Sequence, residues 1–279
     1  MTARDARVPA DTVGALVAAS GLPALEARAL LAEALGVRRE HLVAFPERSV
    51  DAGAGARFAE LAARRQMGEP LAYLLGRREF YGREFAVSPA VLVPRPETEL
   101  LVELALDALV DTPSPRVLDL GTGSGCIAIT LALERPDAQI VAVDVSAPAL
   151  TVARSNAAAL GARVVFVQSD WFEAVTGTFD LVAANPPYVA AGDPHLPALV
   201  YEPVDAVTDH ADGLQCLRAI AARAPACLRP GGQVLVEHGY DQGAQVRALL
   251  TGAGFTQAWT VKDAAGIDRV ACGRWPAAR

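Results

Sequence analysis

The residues with the clearest chemical potential are Asn185-Pro186-Pro187-Tyr188, which directly follow an apolar segment. The side-chain oxygen of Asn185 and the carbonyl oxygen of Pro186 can each accept one N–H of a planar NH₂ group. Such a clamp aims the nitrogen lone pair at an electrophilic carbon and stabilises the positive charge that develops during attack. The prolines fix the direction of the carbonyl, and Tyr188 can stack on a planar group. Although an Asn-Pro-Pro turn without chemistry is the alternative, we interpret all four residues as binding an amide-type acceptor, with Asn185, Pro186 and Tyr188 as catalytic residues.

A glycine-rich turn lies upstream in Asp119-Leu120-Gly121-Thr122-Gly123-Ser124-Gly125. Its three glycines allow a sharp turn and a close approach of the backbone to a ligand. Asp144 follows the next apolar segment, at the position where a carboxylate accepts hydrogen bonds from a ribose diol. The glycines also satisfy a degenerate dinucleotide fingerprint, so NAD is an alternative ligand, and a turn without a ligand is another. The acidic Asp119 favours a sulfonium cation over a pyrophosphate, and we therefore predict a methyl-donor site at Gly121 to Gly125 and Asp144.

A third candidate segment is Asp170-Trp171-Phe172, which follows another apolar run. A carboxylate beside aromatic rings can bind the amino group of an adenine and cover its ring. The alternative is that Trp171 and Phe172 are core residues. We predict that Asp170 and Trp171 belong to the same cofactor site.

The segments that must position these residues alternate between apolar runs and helical patterns. Continuous apolar strands that alternate with helices predict an α/β fold with a doubly wound, mostly parallel sheet covered on both faces. Two closely spaced strands near the end of the chain predict an antiparallel hairpin at the sheet edge. The predicted strands cover residues 117–120, 140–143, 163–167, 179–184, 233–237, 257–262 and 268–273. In such a sheet the glycine turn and the Asn185 loop meet at the carboxyl edge, where ligands bind.

The part of the chain before the sheet has a different pattern. Apolar residues recur at helical spacing over residues 11–66, which predicts a small helical bundle. Aromatic residues flank Gly82 in a predicted hairpin, and the helix that follows is predicted to begin with Thr98 as its N-cap. We therefore predict a bundle over residues 1–78, a hairpin connector over 79–95 and a catalytic domain over 96–279.

The charge distribution bears on the class of macromolecular partner. Residues 1–80 contain 11 arginines and 10 acidic residues, so 14 of the 25 basic and 22 of the 32 acidic residues lie in 81–279. A DNA-binding enzyme needs a basic footprint to neutralise phosphates. The acidic catalytic part therefore predicts a protein partner and no direct DNA binding.

The remaining composition predicts a protein of the cytoplasm. The four cysteines are scattered and the four histidines lack ligand-spaced partners, so neither a disulfide framework nor a metal site is expected. Early charges at Arg4, Asp5 and Arg7 do not resemble a signal peptide. No apolar run approaches the length that spans a membrane.

Several segments spread along the chain match the pattern of one known family. They are Gly68 to Gly76, Glu79-Phe80-Tyr81, Val93-Pro94-Arg95-Pro96-Glu97-Thr98-Glu99, Ser169-Asp170-Trp171-Phe172, Asp193-Pro194-His195-Leu196, Tyr201-Glu202-Pro203 and Glu237-His238-Gly239. Through them the chain resembles, over nearly its whole length, the peptide chain release factor N5-glutamine methyltransferases. The Asn185 motif alone is shared with enzymes that act on adenine N6 and cytosine N4. A sister family that modifies a large-subunit ribosomal protein typically has Pro-Arg-Ser-Pro where this chain has Pro94-Arg95-Pro96.

The resemblance implies a class I S-adenosylmethionine-dependent methyltransferase domain with a small N-terminal helical bundle. It implies that Gly121 to Gly125, Asp144, Trp171 and Asn185 contact S-adenosylmethionine, and that Asn185 to Tyr188 hold a glutamine. The expected target is the Gly-Gly-Gln motif of class 1 peptide chain release factors, whose methylation tunes translation termination. The bundle would grip the release factor, and we expect a monomer. The alternatives are a nucleic-acid amino methyltransferase of the adenine N6 type, a ribosomal-protein glutamine methyltransferase, and a non-catalytic binding module.

Overall fold

The computed structural model describes residues 11–277, which form two compact units, 11–76 and 77–277. The first ten residues of the predicted bundle and the last two of the predicted catalytic domain lie outside this range. The predicted bundle boundary after residue 78 falls two residues into the first strand of the hairpin. Arg77 and Arg78 pair with Ala86 and Phe85 in that hairpin. This backbone pairing could not be predicted from the local sequence pattern.

The first unit is a bundle built around the second of its five helices. The helices are α1 (Val13–Ala19), α2 (Ala24–Leu35), α3 (Arg39–Ala44), α4 (Ala52–Gln66) and α5 (Leu71–Leu75). Helix α2 buries Ala27, Leu30 and Leu31, and it ends at Gly36, whose φ of 65° is left-handed. Helix α3 and helix α5 were not separately predicted, because five or six residues are too few to show a helical period.

Side chains of helix α4 tie it to helix α2. Arg65 donates to the Glu26 carboxylate at 2.6 Å, and Arg57 donates to the carbonyl of Ala34. The Asp51 side chain caps the first turn of α4 by accepting from the Ala54 amide at 2.9 Å. These polar contacts surround an apolar interior that includes Val13, Phe58 and several leucines.

The second unit begins with a hairpin and continues as a seven-stranded sheet. The hairpin consists of β1 (Arg77–Phe80) and β2 (Arg83–Ala86). The sheet strands are β3 (Arg116–Leu120), β4 (Gln139–Asp144), β5 (Val164–Gln168), β6 (Phe179–Ala184), β7 (Leu228–Glu237), β8 (Gln257–Lys262) and β9 (Asp268–Arg274). Their order is β5-β4-β3-β6-β7-β9-β8.

Strands β3 to β7 are parallel, and β9 runs antiparallel to both β7 and β8. The predicted doubly wound, mostly parallel sheet with an antiparallel hairpin at its edge is thereby confirmed. Strand β7 starts at Leu228, five residues earlier than predicted. Leu228 pairs with Phe179 across a register shift, and Pro230-Gly231-Gly232 lie within the strand.

Helices cover both faces of the sheet. They are α6 (Glu99–Ala108), α7 (Cys126–Glu134), α8 (Ala147–Leu160), α9 (Val204–Val207), α10 (Gln215–Cys227) and α11 (Gly243–Gly252). Leu101 of α6 and Ile127 of α7 belong to one apolar cluster, and Leu217 of α10 and Val246 of α11 belong to the other. This double cover explains why β3 and β6 are buried at all but one position each, and it leaves the carboxyl edge for a site.

Candidate active site

A cavity of about 490 Å³ opens at the carboxyl edge of the parallel strands. Loops after β3, β4, β5 and β6 line it, as the predicted topology requires. Nine predicted site residues line this cavity: Gly121, Thr122, Gly123, Ser124, Asp144, Asp170, Trp171, Asn185 and Pro187. Gly125, Pro186 and Tyr188 lie next to these residues in the chain but are not part of the lining.

Hydrogen bonds to residues of strands β3 and β4 hold the glycine loop in place. The Thr122 amide donates to the Val143 carbonyl at 2.9 Å, and the Thr122 hydroxyl donates to the Asp119 carboxylate at 2.6 Å. The Gly123 amide donates to Asp144 at 2.9 Å. These bonds fix the backbone of the loop, and a β-carbon at Gly123 would meet no atom within 4 Å.

Asp119 lies beneath the loop instead of on its rim. The residue is fully buried, and its Oδ1 has no hydrogen-bond partner within residues 11–277. Burial raises the pKa of the Asp119 carboxyl to about 7, against the opposing effect of the Thr122 hydroxyl. Asp119 therefore supports the loop from the core, where its carboxylate is shielded from solvent.

Gly125 is required by packing as well as by backbone conformation. Its φ is 83°, and a β-carbon there would lie 2.7 Å from Ile129 Cδ1 and 3.2 Å from the β-carbon of Ala153 on α8. The residue thus lets the glycine loop and α7 approach α8 closely. Its contribution to the site is structural support of the loop.

Replacing Gly125 with alanine is expected to lower the free energy of unfolding by about 2 to 4 kcal/mol. A left-handed alanine costs about 1 to 2 kcal/mol, and the crowding at Ile129 and Ala153 adds a similar amount. Gly161→Ala is the matched control, because Gly161 has a φ of 72° but open space around its β-carbon position. Urea denaturation measures the free energy of unfolding of both variants. Equal destabilisation by the two variants would show that the contact to α8 is unimportant.

Asp144 is placed to serve both the loop and a ligand. Its Oδ2 accepts from the Gly123 amide and its Oδ1 from the Ser146 amide, both at 2.9 Å. Burial raises the pKa of Asp144, while these amides act in the opposite direction. Asp144 lines the cavity, and each carboxylate oxygen has a second lone pair, so the carboxylate can accept from a diol.

The segment after β5 separates the two aromatic residues that follow Asp170. Phe172 is buried in the apolar cluster, whereas Trp171 lines the cavity with its ring 3.8 Å from the β-carbon position of Gly121. The φ of Trp171 is 47°, a left-handed conformation that costs a bulky residue about 1 to 2 kcal/mol. Such strain is characteristic of functional positions and turns the indole toward the glycine loop.

The Asn185 side chain is oriented by a residue 87 positions earlier in the chain. Its Nδ2 donates to the Thr98 hydroxyl at 3.1 Å, and its Oδ1 has no partner within residues 11–277. Thr98 occupies the predicted N-cap position of α6, but its side chain makes no capping hydrogen bond. Thr98 ends a short 3₁₀ turn, Pro96–Thr98, and its side chain caps no amide because the hydroxyl is engaged by Asn185.

Tyr188 turns its hydroxyl away from the cavity and into the protein. The hydroxyl donates to Glu237 Oε1 at 3.1 Å, and the ring packs on the apolar cluster beside α10. Burial, together with the nearby Glu237 carboxylate, raises the pKa of Tyr188. The Tyr188 carbonyl accepts from Gln242 at 2.9 Å. The predicted stacking of Tyr188 on an acceptor therefore stays a prediction that needs an acceptor-bound state.

A buried ion pair anchors the loop between Val189 and Pro203. Glu202 accepts from the Val93 amide at 3.0 Å and from the Arg95 guanidinium, and its side chain is 3% exposed. Arg95 lines the cavity together with Thr98. The segment that precedes the catalytic domain is thus connected to the loop that follows the Asn185 motif.

The charge and shape of the cavity fit S-adenosylmethionine. Asp144, Asp170, Asp205 and Asp209 line it, and Arg95 is the permanently charged base in the lining. An acidic lining favours a cationic sulfonium over an anionic pyrophosphate. The open glycine loop, the Asp144 carboxylate and the Trp171 indole line this cavity and are chemically suited to the methionine, ribose and adenine parts of such a donor.

Three residues of this site were not predicted as functional: Thr98, Glu237 and Arg95. All three lie in segments that carried the family resemblance, which was the available signal. Their side chains meet the Asn185 loop only through folding. His195, in contrast, pairs with Asp193 at 2.8 Å on the exposed loop, whereas His210 lines the cavity.

Residues 11–277 also bear on two other classes of site. No group of three or more His, Cys, Asp or Glu side chains in this range is arranged to hold a metal ion. Within the same range, no helix combines the length and apolar character needed to cross a membrane.

Two family models match the chain in the order of its two units. Residues 11–76 match the model of the PrmC N-terminal domain, and residues 97–201 match the methyltransferase small domain. A solved T. thermophilus 16S rRNA N2 G1207 methyltransferase, in complex with AdoMet and guanosine, is 25% identical with a TM-score of 0.54. That match covers 71% of this chain and 49% of the other, and it confirms the class I methyltransferase fold.

Full-length relatives are more similar. The chain is 50% identical over 275 residues to the release factor glutamine methyltransferase of Burkholderia pseudomallei, covering 95% of this chain and 96% of the relative. It is 50% identical over 262 residues to the protein of the same name from Bordetella pertussis, covering 92% and 97%. The predicted resemblance is thereby confirmed: this chain is a methyltransferase and belongs to the release factor glutamine methyltransferase family.

Proposed function

We propose that this enzyme transfers a methyl group from S-adenosylmethionine to the side-chain amide nitrogen (N5) of the glutamine in the Gly-Gly-Gln motif of class 1 peptide chain release factors. The observation that carries the proposal is the orientation of Asn185. Because its Nδ2 is engaged by Thr98, its Oδ1 is the atom available to an incoming N–H. Asn185 lines the same cavity as the glycine loop and Asp144.

The acceptor is held by oxygen atoms of the Asn185 loop. Asn185 Oδ1 and the Pro186 carbonyl each accept one N–H of the glutamine amide, which leaves the lone pair directed at the methyl carbon. An amide nitrogen is a weak nucleophile, so this alignment and the stabilisation of its developing positive charge provide the main rate enhancement. The methylated nitrogen then loses a proton to water.

S-adenosylmethionine supplies an electrophilic methyl group on a sulfonium centre. The residues that bind it are Gly121 to Ser124 at the methionine part, Asp144 at the ribose, and Asp170 with Trp171 at the adenine. The acidic lining of the cavity stabilises the positive charge of the bound donor. Asn185 borders both parts of the site and positions the acceptor against the donor.

The helical bundle is the proposed grip for the release factor. It matches the PrmC N-terminal domain, and its surface carries exposed apolar side chains at Leu25, Val43 and Phe45. Exposed apolar residues of this size are frequent anchors at protein interfaces. Because its proposed acceptor works at the ribosome, the enzyme acts in the cytoplasm. It acts there as a monomer.

The test is mapping of the methylated residue after incubation of the enzyme with labelled S-adenosylmethionine and release factors. We expect label on the Gly-Gly-Gln glutamine and none after that glutamine is changed to asparagine. Ribosomal protein, DNA and ribosomal RNA are the competing acceptors in the same assay. Equal labelling of nucleic acid would contradict the proposal and favour an amino methyltransferase of the adenine N6 type.

A further inference from the structure

We propose that Glu237 is a positioning residue that acts through Thr98 to keep the Asn185 amide oxygen directed at the acceptor nitrogen. The inference rests on the proposed function, because it assigns a role within that site. Glu237 does not line the cavity and does not touch the donor or the acceptor. Its effect reaches the reacting atoms through two side chains.

Sheet pairing places Glu237 beside the Asn185 loop. Ala184 of β6 pairs with Val236 of β7, so Asn185 and Glu237 are the residues that follow this pair on neighbouring parallel strands. Glu237 is 1% exposed. Its Oε1 accepts from the Tyr188 hydroxyl at 3.1 Å, so the carboxylate already holds the second end of the Asn185 loop.

The second carboxylate oxygen of Glu237 lacks a hydrogen-bond donor among the described residues. Glu237 Oε2 is buried and has no partner of hydrogen-bonding geometry within residues 11–277. The Thr98 hydroxyl lies close enough to favour the ionised form of this carboxyl. Because an unpartnered buried carboxylate oxygen is costly, a small rotation of Thr98 that donates its proton to Glu237 is favourable.

The direction of the hydrogen bonds among Glu237, Thr98 and Asn185 follows from which of these groups carry a proton to donate. An ionised carboxylate only accepts, and a threonine hydroxyl has one proton to donate. When Thr98 donates to Glu237, its oxygen can only accept from Asn185, so Nδ2 faces Thr98 and Oδ1 faces the acceptor. A neutral group at position 237 can donate to Thr98, which allows the Asn185 amide to turn over and present N–H to the acceptor.

The protonation of Glu237 therefore matters for the rate. Burial raises the pKa of Glu237 to about 7, whereas Thr98, Tyr188 and the positive charge of Arg269 lower it, and Glu97 raises it further. The methyl-transfer rate is expected to rise with pH through about 7, as Glu237 loses its proton. This pH dependence distinguishes an oriented relay from simple packing.

The experiment compares single-turnover rates of Glu237→Gln, Thr98→Val and the wild type on a release factor. Each variant is expected to lose about 10- to 100-fold in rate, the equivalent of one hydrogen bond to a charged group. Calorimetry is expected to give a dissociation constant for S-adenosylmethionine within about twofold of the wild type. The rise of the rate through about pH 7 is expected to disappear in both variants.

Controls separate the relay from a folding defect. Thr98→Ser keeps the hydroxyl that Thr98→Val removes, and it is expected to retain most of the rate that Thr98→Val loses. Glu103→Gln makes the same chemical change at an exposed position of α6 and leaves the rate unchanged. The double variant Glu237→Gln with Thr98→Val is expected to be no slower than the slower single variant, since both changes break one relay.

Two results would overturn the inference: a wild-type rate and pH profile in either Glu237→Gln or Thr98→Val, or multiplicative losses in the double variant. If Glu237→Gln does not fold, the rates and pH profiles of Thr98→Val and Thr98→Ser decide whether the inference holds. Failure of the proposed function is a separate outcome, because the wild-type enzyme would then transfer no methyl group to a release factor.

Discussion

Asn185→Ala is expected to lower the rate of methyl transfer by about 100- to 1,000-fold, which corresponds to about 3 to 4 kcal/mol of lost transition-state stabilisation. The variant lacks the oxygen that accepts one N–H of the acceptor amide. The remaining Pro186 carbonyl cannot by itself hold the nitrogen in line with the methyl carbon. Single-turnover kinetics with saturating donor and release factor measure this loss directly.

The same substitution is expected to leave donor binding measurable. The glycine loop and Asp144 keep their own hydrogen bonds, which do not involve Asn185. Calorimetric titration with S-adenosylmethionine provides this check, and Gln257→Ala, which removes an exposed amide on β8, serves as the matched control. Turnover that survives unchanged in Asn185→Ala would disprove the amide clamp.

Asp144→Ala is expected to weaken S-adenosylmethionine binding by about 10- to 100-fold, because hydrogen bonds to a charged group contribute about 1.5 to 3 kcal/mol. Two effects combine in this variant. The ribose diol loses its acceptor, and the amides of Gly123 and Ser146 lose the carboxylate that orders the loop. The dissociation constant is measured by calorimetry.

Two further variants sharpen the test of Asp144. Asp144→Asn keeps one acceptor oxygen and is expected to show a smaller loss, whereas Asp107→Ala removes an exposed carboxylate of α6 and is expected to bind normally. Saturating donor should restore most of the turnover of Asp144→Ala, because the acceptor clamp is intact. Unchanged donor affinity in Asp144→Ala would show that this carboxylate supports the loop without touching the ligand.

Much of this site could be predicted from local sequence. The glycine run and the Asn185 motif each follow an apolar strand, and parallel strands bring such loops to one edge of the sheet. Because each motif carries its own backbone geometry within four to seven consecutive residues, its chemistry can be read without knowing the fold. The alternation of strands and helices was sufficient for the architecture for the same reason.

The residues that support the motifs could not be predicted in this way. Thr98 reaches Asn185 across 87 positions and Glu237 reaches Tyr188 across 49. Local sequence placed Thr98 at the N-cap position of α6, but it did not show that the Thr98 side chain caps no amide. Its hydroxyl bonds Asn185 instead because the fold brings that amide within 3.1 Å.

The Asn185 motif by itself thus predicted the type of atom that is methylated, and the glycine loop with Asp144 predicted where a donor binds. Tertiary structure decided which way the Asn185 amide points, which of Trp171 and Phe172 faces the cavity, and that Tyr188 is engaged from behind by a buried carboxylate. Local sequence encodes backbone conformation and chemical groups. Side-chain orientation depends on partners that only long-range packing brings within hydrogen-bonding distance.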